Sequence, residues 1–180
     1  RRRAFPGRNI NIARNVEIYA APWYNSNWNL RRRKPPERGA GRMKKLCAEA
    51  EEIMKERFEK DSVIALATVE GGAPYVRYVN AYYEDGAFYV ITHALSGKMR
   101  QIERNPAAAI AGDWFTGHGK CESLGYFGRE ENRALAAKLK RAFAAWIDNG
   151  HNDFSDENTI ILRIELTDGL LLSHGTRYEL

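Results

Sequence analysis

Two short turn sequences, Gly71-Gly72 and Asp85-Gly86, constrain the fold more than any other feature of this chain. They separate three runs rich in β-branched and aromatic residues, which are residues 62–70, 74–84 and 87–93. A two-residue hairpin turn needs positive φ at its centre, and glycine and aspartate tolerate that conformation well. The pattern therefore predicts three antiparallel strands that pair in the order of the sequence.

Two longer stretches on either side of these strands have the period of amphipathic helices. In residues 43–60 apolar side chains recur every three or four positions, and the same spacing returns in residues 129–147. This period places the apolar side chains on one face of a helix. Both segments are predicted to be helices that cover the strands.

The remaining apolar runs predict four further strands. They are AAAIAGDWF (107–115), TGHGKCESL (116–124), TIILRIEL (159–166) and LLLSH (170–174), with a turn at Thr167-Asp168-Gly169 before the last. Short strands joined mostly by tight turns, with few helices, are typical of a β-barrel. We therefore predict a mainly β (α+β) fold.

The stretch THALSGKMRQIERNP, residues 92–106, predicts a short helix that stops before its final proline. The first N–H groups of a helix have no acceptor within it, and the helix dipole adds partial positive charge there. Ser96, Gly97 and Lys98 add a hydroxyl, room for close backbone approach and a full positive charge. An anion such as a phosphate would satisfy all three, although an ordinary N-cap serine and a solvated lysine explain the same residues.

The net charge of +5 is unevenly distributed along the chain. Residues 1–42 contain 11 Lys and Arg against 2 Asp and Glu, whereas residues 43–180 contain 17 against 21. The first segment also lacks an apolar period, so we predict a basic, poorly ordered extension at 1–42 and one domain at 43–180. Its aromatic cluster PWYNSNW and its arginines could bind RNA or single-stranded DNA. No recognition motif accompanies them, and we expect no nucleic-acid partner.

Neither membrane insertion nor metal binding is indicated by the sequence. No apolar run approaches the roughly 20 residues that span a bilayer, so we expect a cytoplasmic protein without a membrane partner. Cys47 and Cys121 are far apart in the chain and indicate neither a disulfide framework nor a metal site. No Ser-His-Asp order, CxxC pair or HExxH motif is present, so hydrolytic and metal chemistry have no support.

The segments PYVRYV (74–79) and DGAFYVITHALSGKMRQIERNP (85–106) carry a resemblance to a known family. They combine an arginine on the second strand, a threonine near the end of the third, and a lysine two residues after a serine. In this combination the chain resembles the pyridoxamine 5′-phosphate oxidase-like FMN-binding split barrels over residues 62–125. The resemblance implies an antiparallel split β-barrel with flanking helices, and FMN bound at a homodimer interface.

The resemblance implies that four residues hold the FMN phosphate. Arg77 would pair with it, and Ser96, Gly97 and Lys98 would complete a phosphate cradle. A dianionic phosphate suits a bidentate guanidinium, an ammonium and the amides of a helix N-terminus. Without the resemblance, Arg77 could equally be an exposed strand residue paired with a nearby glutamate.

The resemblance also places residues along the flavin itself. Val79 and Asn80 would flank the isoalloxazine through their backbone, and Thr92 and His93 would lie along the flavin and the ribityl chain. Trp114 would either stack near the flavin from the partner chain or fill the barrel. Thr92 is also a good strand former, and a lone histidine at a strand end is often a surface residue, so these alternatives stay open.

The end of the chain departs from the family pattern. True pyridoxamine phosphate oxidases carry a C-terminal tryptophan and arginine-rich signature, whereas this chain ends in LLLSHGTRYEL with Arg177 as its only arginine there. The resemblance therefore implies an FMN-dependent oxidoreductase for an unidentified small molecule, with a nicotinamide nucleotide as a candidate reductant. Two alternatives remain: a non-catalytic flavin-binding or sensing protein, and a deazaflavin- or haem-binding member of the same fold. No catalytic residue is assigned.

Overall fold

The computed structural model describes residues 47–150 and 152–180. The extension predicted at 1–42 and the predicted helix start at Met43 lie outside these residues. The described elements, in chain order, are α1 Ala48–Phe58, β1 Ser62–Glu70, β2 Ala73–Glu84, β3 Ala87–His93, α2 Gly97–Arg104, β4 Ala107–Gly112, β5 Phe115–Tyr126, a 3-10 turn Glu130–Asn132, α3 Arg133–Ala142, β6 Thr159–Ser173 and β7 Thr176–Glu179.

The two predicted hairpins are confirmed. Gly71 and Gly72 have φ of 58° and 82°, and Asp85 and Gly86 have φ of 48° and 79°. These positive values are the ones that tight primed turns require. They fix the register of the first three strands, so that β1 pairs with β2 and β2 pairs with β3, both antiparallel.

The strands form an antiparallel barrel. They are ordered β3-β2-β1-β4-β5-β6-β7, and an additional pairing of β3 with β6 closes six of them into the barrel. Strand β7 extends the pairing along the far end of β6, where Leu170–Ser173 meet Thr176–Glu179. The predicted β-barrel with flanking helices is therefore confirmed.

The predicted turn at Thr167-Asp168-Gly169 is wrong, because these residues lie inside the single long strand β6. Asp168 pairs with His118 of β5, and the register shifts by one residue between this pair and the next. Such a bulge inserts one residue into a strand and reverses which side chains point inward. The chain instead turns after Ser173, and the last strand is β7.

Two further boundaries differ from the prediction. Strand β4 ends at Gly112, because Asp113 and Trp114 form a turn with φ of 24° and 58°, and Phe115 begins β5. The segment 129–147, predicted as one helix, contains a 3-10 turn and then the ten-residue helix α3. The residues after α3, 143–148, form turns. Both differences concern the ends of helices and strands. Backbone geometry determines where an element ends, and the apolar period of the sequence predicts that position poorly.

The barrel interior is filled by aromatic side chains. Phe88 lies with its ring centroid 5.4 Å from Phe58, 5.2 Å from Tyr83 and 6.0 Å from Phe115, and all four are almost fully buried. A second apolar cluster lies under α3 and includes Leu139, buried with Phe143 and Ile161. None of the helices in the described part of the chain is long and apolar enough to cross a membrane.

Candidate functional site

The predicted phosphate-binding residues meet where helix α2 packs against strands β1 and β2. Arg77 lies opposite Leu66 in the β1–β2 register, so both side chains are on the inner face of the barrel wall. The next inward residue of β1 is Thr68, which is fully buried. Helix α2 contributes Met99 and Ile102 to the barrel core, which holds the start of the helix beside Arg77.

Arg77 is half-buried and bonded to polar groups of the barrel wall and of α2. Its Nη1 donates to Thr68 Oγ1 at 2.6 Å and to the Leu66 carbonyl at 3.3 Å. Its Nη2 donates to Gln101 Oε1 at 3.0 Å. All three acceptors are uncharged, so Arg77 does not pair with a nearby glutamate.

Two positive charges approach one another at this point. Burial and the neighbouring Arg77 guanidinium both lower the pKa of Lys98, and burial lowers the pKa of Arg77. Within residues 47–150 and 152–180, no carboxylate forms a salt bridge with either side chain. Placing two uncompensated cations together is unfavourable, and an anion between them would remove that cost.

Ser96 carries a buried hydroxyl at the start of α2. It is the N-cap of α2, with φ of −67° and ψ of 155°, and its side chain makes no capping hydrogen bond. Its Oγ is buried and has no hydrogen-bond partner among the described residues. A buried hydroxyl without a partner costs roughly 1–3 kcal/mol. The backbone carbonyl of Ser96 already accepts from the N–H groups of Met99 and Arg100, so the N–H groups of Gly97 and Lys98 precede the helical ladder.

These residues fit the phosphate of FMN or of a similar cofactor. The donor set consists of a guanidinium, an ammonium, a buried serine hydroxyl and two helix N-terminal amides, all of which favour a doubly charged oxyanion. The unpaired Ser96 Oγ is the observation that carries this match. The structure therefore places Arg77 near Lys98, at the helix start that also carries Ser96 and Gly97, and the binding of a phosphate by these four residues stays a prediction.

Val79 and Asn80 point in opposite directions from β2. Val79 pairs with Ile64 and packs against the barrel core. Asn80 is on the outer face of the sheet, where its amide donates to Asp61 Oδ1 at 2.8 Å. A flavin contact through their backbone, as the resemblance implies, stays a prediction.

The side chains of Thr92 and His93 also point in opposite directions from their strand, β3. Thr92 is buried and pairs with Ile160 of β6, on the same inward side of β3 as Val90. His93 is half-exposed, and its Nε2 lies 3.2 Å from Asp156 Oδ2. Their contacts with a flavin and its ribityl chain stay predictions.

Trp114 does not fill the barrel. Its side chain is 73% exposed in the turn between β4 and β5, whereas the neighbouring Phe115 is buried in the core. Only one of the two sequence-based alternatives for Trp114 is therefore left, namely stacking near the flavin from the partner chain. That role stays a prediction.

The sequence reasoning missed Thr68 and Gln101. Gln101 is 5% exposed and accepts hydrogen bonds from Thr68 at 2.6 Å and from Arg77 at 3.0 Å. A signal for it was present, because Gln101 follows Lys98 by one helical turn and so shares its face. Thr68 could have been found from the register that the Gly71-Gly72 turn imposes.

A groove of about 710 Å³ lies on the outer face of the sheet, and none of the four cradle residues lines it. Its lining includes His118, whose Nδ1 is 2.6 Å from Asp168 Oδ1. The two glycines that flank His118 are explained by crowding with β6: a Cβ at Gly117 would lie 2.7 Å from the Asp168 carbonyl oxygen, and one at Gly119 2.8 Å from that of Glu165. They are therefore not evidence of a ligand.

Comparison with solved structures gives the same fold. The chain is similar to an FAD-binding protein from Mesorhizobium loti, with 19% identity and a TM-score of 0.51 over 75% of this chain and 96% of that one. It is similar to an F420 reductase, with 20% identity and a TM-score of 0.52 over 64% and 94%. It is also similar to a haem-binding protein from Mycobacterium smegmatis, with 18% identity and a TM-score of 0.52 over 67% and 53%. No curated protein matches the chain.

A family model extends the likeness beyond fold. The model, described as pyridoxamine 5′-phosphate oxidase, matches residues 50–170, which include every strand from β1 to β5, helix α2 and most of β6. The matched range contains the hairpins, the cradle residues and the bulged strand. This chain belongs to the pyridoxamine 5′-phosphate oxidase family.

Proposed function

We propose that the protein is an FMN-binding flavoprotein that acts as a flavin-dependent oxidoreductase on a small molecule. The phosphate of FMN would be held by Arg77, Lys98, Ser96 Oγ and the first amides of α2. The observation that supports this most strongly is the buried Ser96 hydroxyl, two residues before Lys98, which has no hydrogen-bond partner among the described residues. We also propose that the protein is cytoplasmic, as the sequence predicts.

The residues of this chain would bind and orient the cofactor. Bound FMN would supply the capacity for hydride transfer, so the protein need not provide an acid–base residue for that step. Arg77 and Lys98 would fix the position of the phosphate, while the backbone of Val79 and Asn80 would flank the isoalloxazine, as the resemblance implies. A nicotinamide nucleotide remains the candidate reductant.

An absorbance spectrum of the purified protein tests the proposal and separates its alternatives. FMN, a deazaflavin and haem absorb differently, and the similar structures include an F420 reductase and a haem-binding protein. An FMN spectrum would support the proposal, whereas a haem or deazaflavin spectrum would replace FMN by that group. Bleaching on addition of NADH or NADPH, followed by reoxidation with a substrate, would separate an enzyme from a non-catalytic flavin-binding or sensing protein.

We also propose that the protein is a homodimer formed through the outer face of β1 and β2. Val63, Val76 and Tyr78 lie on this face and are 58%, 68% and 79% exposed. Ala65 pairs with Tyr78 and Ala67 with Val76 in the β1–β2 register, and Val63 precedes Ala65 on the same face, which makes the apolar patch continuous. Contiguous apolar patches on a protein surface are typical of interaction sites, and a second copy of the same face is the partner that we propose.

Tyr78→Glu is expected to weaken this dimer, because it places a charge at the centre of the apolar patch. Light scattering coupled to size-exclusion chromatography should give a dimer mass for the wild type and a monomer mass, or a strongly concentration-dependent one, for the variant. Ala134→Glu introduces the same charge at an exposed position of α3 and should stay dimeric. A wild-type protein that is monomeric with FMN fully bound would contradict an interfacial cofactor site.

A further inference from the structure

Thr68 and Gln101 surround one end of the Arg77 guanidinium. Thr68 Oγ1 and Gln101 Oε1 are 2.6 Å apart, and each accepts a hydrogen bond from a different Nη atom of Arg77, at 2.6 and 3.0 Å. Thr68 is fully buried and Gln101 is 5% exposed. Burying polar side chains is costly unless they are hydrogen-bonded, and apolar side chains would fill the same space without that requirement. We therefore expect this cluster to have a role other than packing.

The Gln101 amide can have only one orientation in this cluster. Its Oε1 faces two donors, and its Nε2 donates to Glu70 Oε2 at 3.4 Å. The reversed amide would point its own N–H groups at the Arg77 guanidinium, which has no acceptor. Glu70 is in turn bound by Arg104 at 2.6 Å, which fixes the far end of the cluster.

The hydrogen bonds of Arg77 leave one edge of its guanidinium unused. A guanidinium has five N–H donors in a rigid plane. Three of them donate to Thr68, to Leu66 and to Gln101. Among the described residues the other two, Nε–H and one Nη2–H, have no acceptor. Because the Thr68 and Gln101 oxygens are so close together, they occupy the terminal edge between Nη1 and Nη2, and the remaining donors form the adjacent edge.

We propose that Thr68 and Gln101 are positioning residues that orient Arg77 so that its Nε–H and remaining Nη2–H form a bidentate fork for the phosphate. The identity of the ligand rests on the proposed function, whereas the orientation of the fork rests on the contacts above. Two parallel N–H groups match two oxygens of one oxyanion. The neutral Gln101 amide is suited to this task, because a carboxylate in its place would neutralise the arginine and compete with the phosphate.

The test compares FMN with riboflavin, which differs from it only by the phosphate. Thr68→Val and Gln101→Met keep the size of each buried side chain and remove the acceptor. Each is expected to raise the Kd for FMN roughly five- to thirtyfold, while the Kd for riboflavin changes by less than about twofold. Thr68→Ser, which keeps a hydroxyl, and Glu103→Ala, at an exposed position on the same helix, should bind FMN like the wild type.

Three results would count against the inference or against the proposed function separately. Wild-type affinity for FMN in both Thr68→Val and Gln101→Met would overturn the positioning role. Equal losses for FMN and riboflavin would mean general damage to the fold and would also overturn it. Absence of FMN binding by the wild type would instead contradict the proposed function.

If the wild type does not bind FMN, a measurement without ligand still tests whether Thr68 and Gln101 position Arg77. Proton–nitrogen NMR of the guanidinium groups reports whether rotation of the Arg77 side-chain nitrogens is slow. The wild type should show separate, slowly exchanging Nη signals, and Thr68→Val and Gln101→Met should average them. An Arg77 guanidinium that rotates freely in the wild type would overturn the inference whatever ligand binds.

Discussion

Arg77→Ala is expected to weaken FMN binding about ten- to a hundredfold, the effect of losing a charge-assisted contact worth roughly 1.5–3 kcal/mol. Arg77 is one of the two cations in the proposed cradle, and its unused donors form a planar fork. Lys98→Ala is expected to have an effect of similar size, because Lys98 is the second cation beside the same site. The two losses should not add fully, since both cations would contact one phosphate.

Titration of flavin-depleted protein with FMN, followed by flavin fluorescence, measures this effect. Arg133→Ala is a matched control, because Arg133 is an exposed arginine on α3 that pairs with Glu130. It should leave the FMN affinity unchanged. Unaltered titration curves for both Arg77→Ala and Lys98→Ala would remove the phosphate assignment.

Phe88→Ala is expected to lower the free energy of unfolding by about 3–5 kcal/mol, the usual cost of deleting a large buried aromatic side chain. Phe88 is completely buried and lies at the centre of the aromatic cluster with Phe58, Tyr83 and Phe115. The cluster joins α1 to three different strands, so the cavity left by the truncation could not collapse around a single flexible element.

Urea denaturation at a fixed protein concentration is the measurement, because the stability of the proposed dimer would depend on concentration. Phe88→Leu keeps most of the apolar volume and should cost clearly less than Phe88→Ala. A loss below about 1 kcal/mol for the alanine variant would contradict the central place given to this cluster.

The hairpins of the barrel could be predicted because their turn residues are decisive at short range. Gly71-Gly72 and Asp85-Gly86 need positive φ, and that requirement places the turns without knowledge of the rest of the fold. The course of β6 could not be predicted in the same way. Asp168 and Gly169 read locally as a turn, but pairing with β5 along the whole strand absorbs one extra residue as a bulge.

The candidate site shows the same division between local and long-range information. Ser96, Gly97 and Lys98 are consecutive at a helix start, so their shared chemistry is visible in the sequence. The partners of Arg77 come from β1 and from the middle of α2, and only the packing of that helix against the barrel brings them together. Trp114 lies near the end of a run, AAAIAGDWF, that predicts a strand, whereas its positive φ makes it part of a turn.

Parallel calorimetric titrations of the flavin-depleted wild type with FMN and with riboflavin test the central claim most directly. The claim is that the start of α2, together with Arg77, holds a flavin phosphate. The account predicts that FMN binds at least about tenfold more tightly than riboflavin, since only FMN can engage the guanidinium, the ammonium and the buried Ser96 hydroxyl. Equal affinity for the two flavins, or no binding of either, would contradict it.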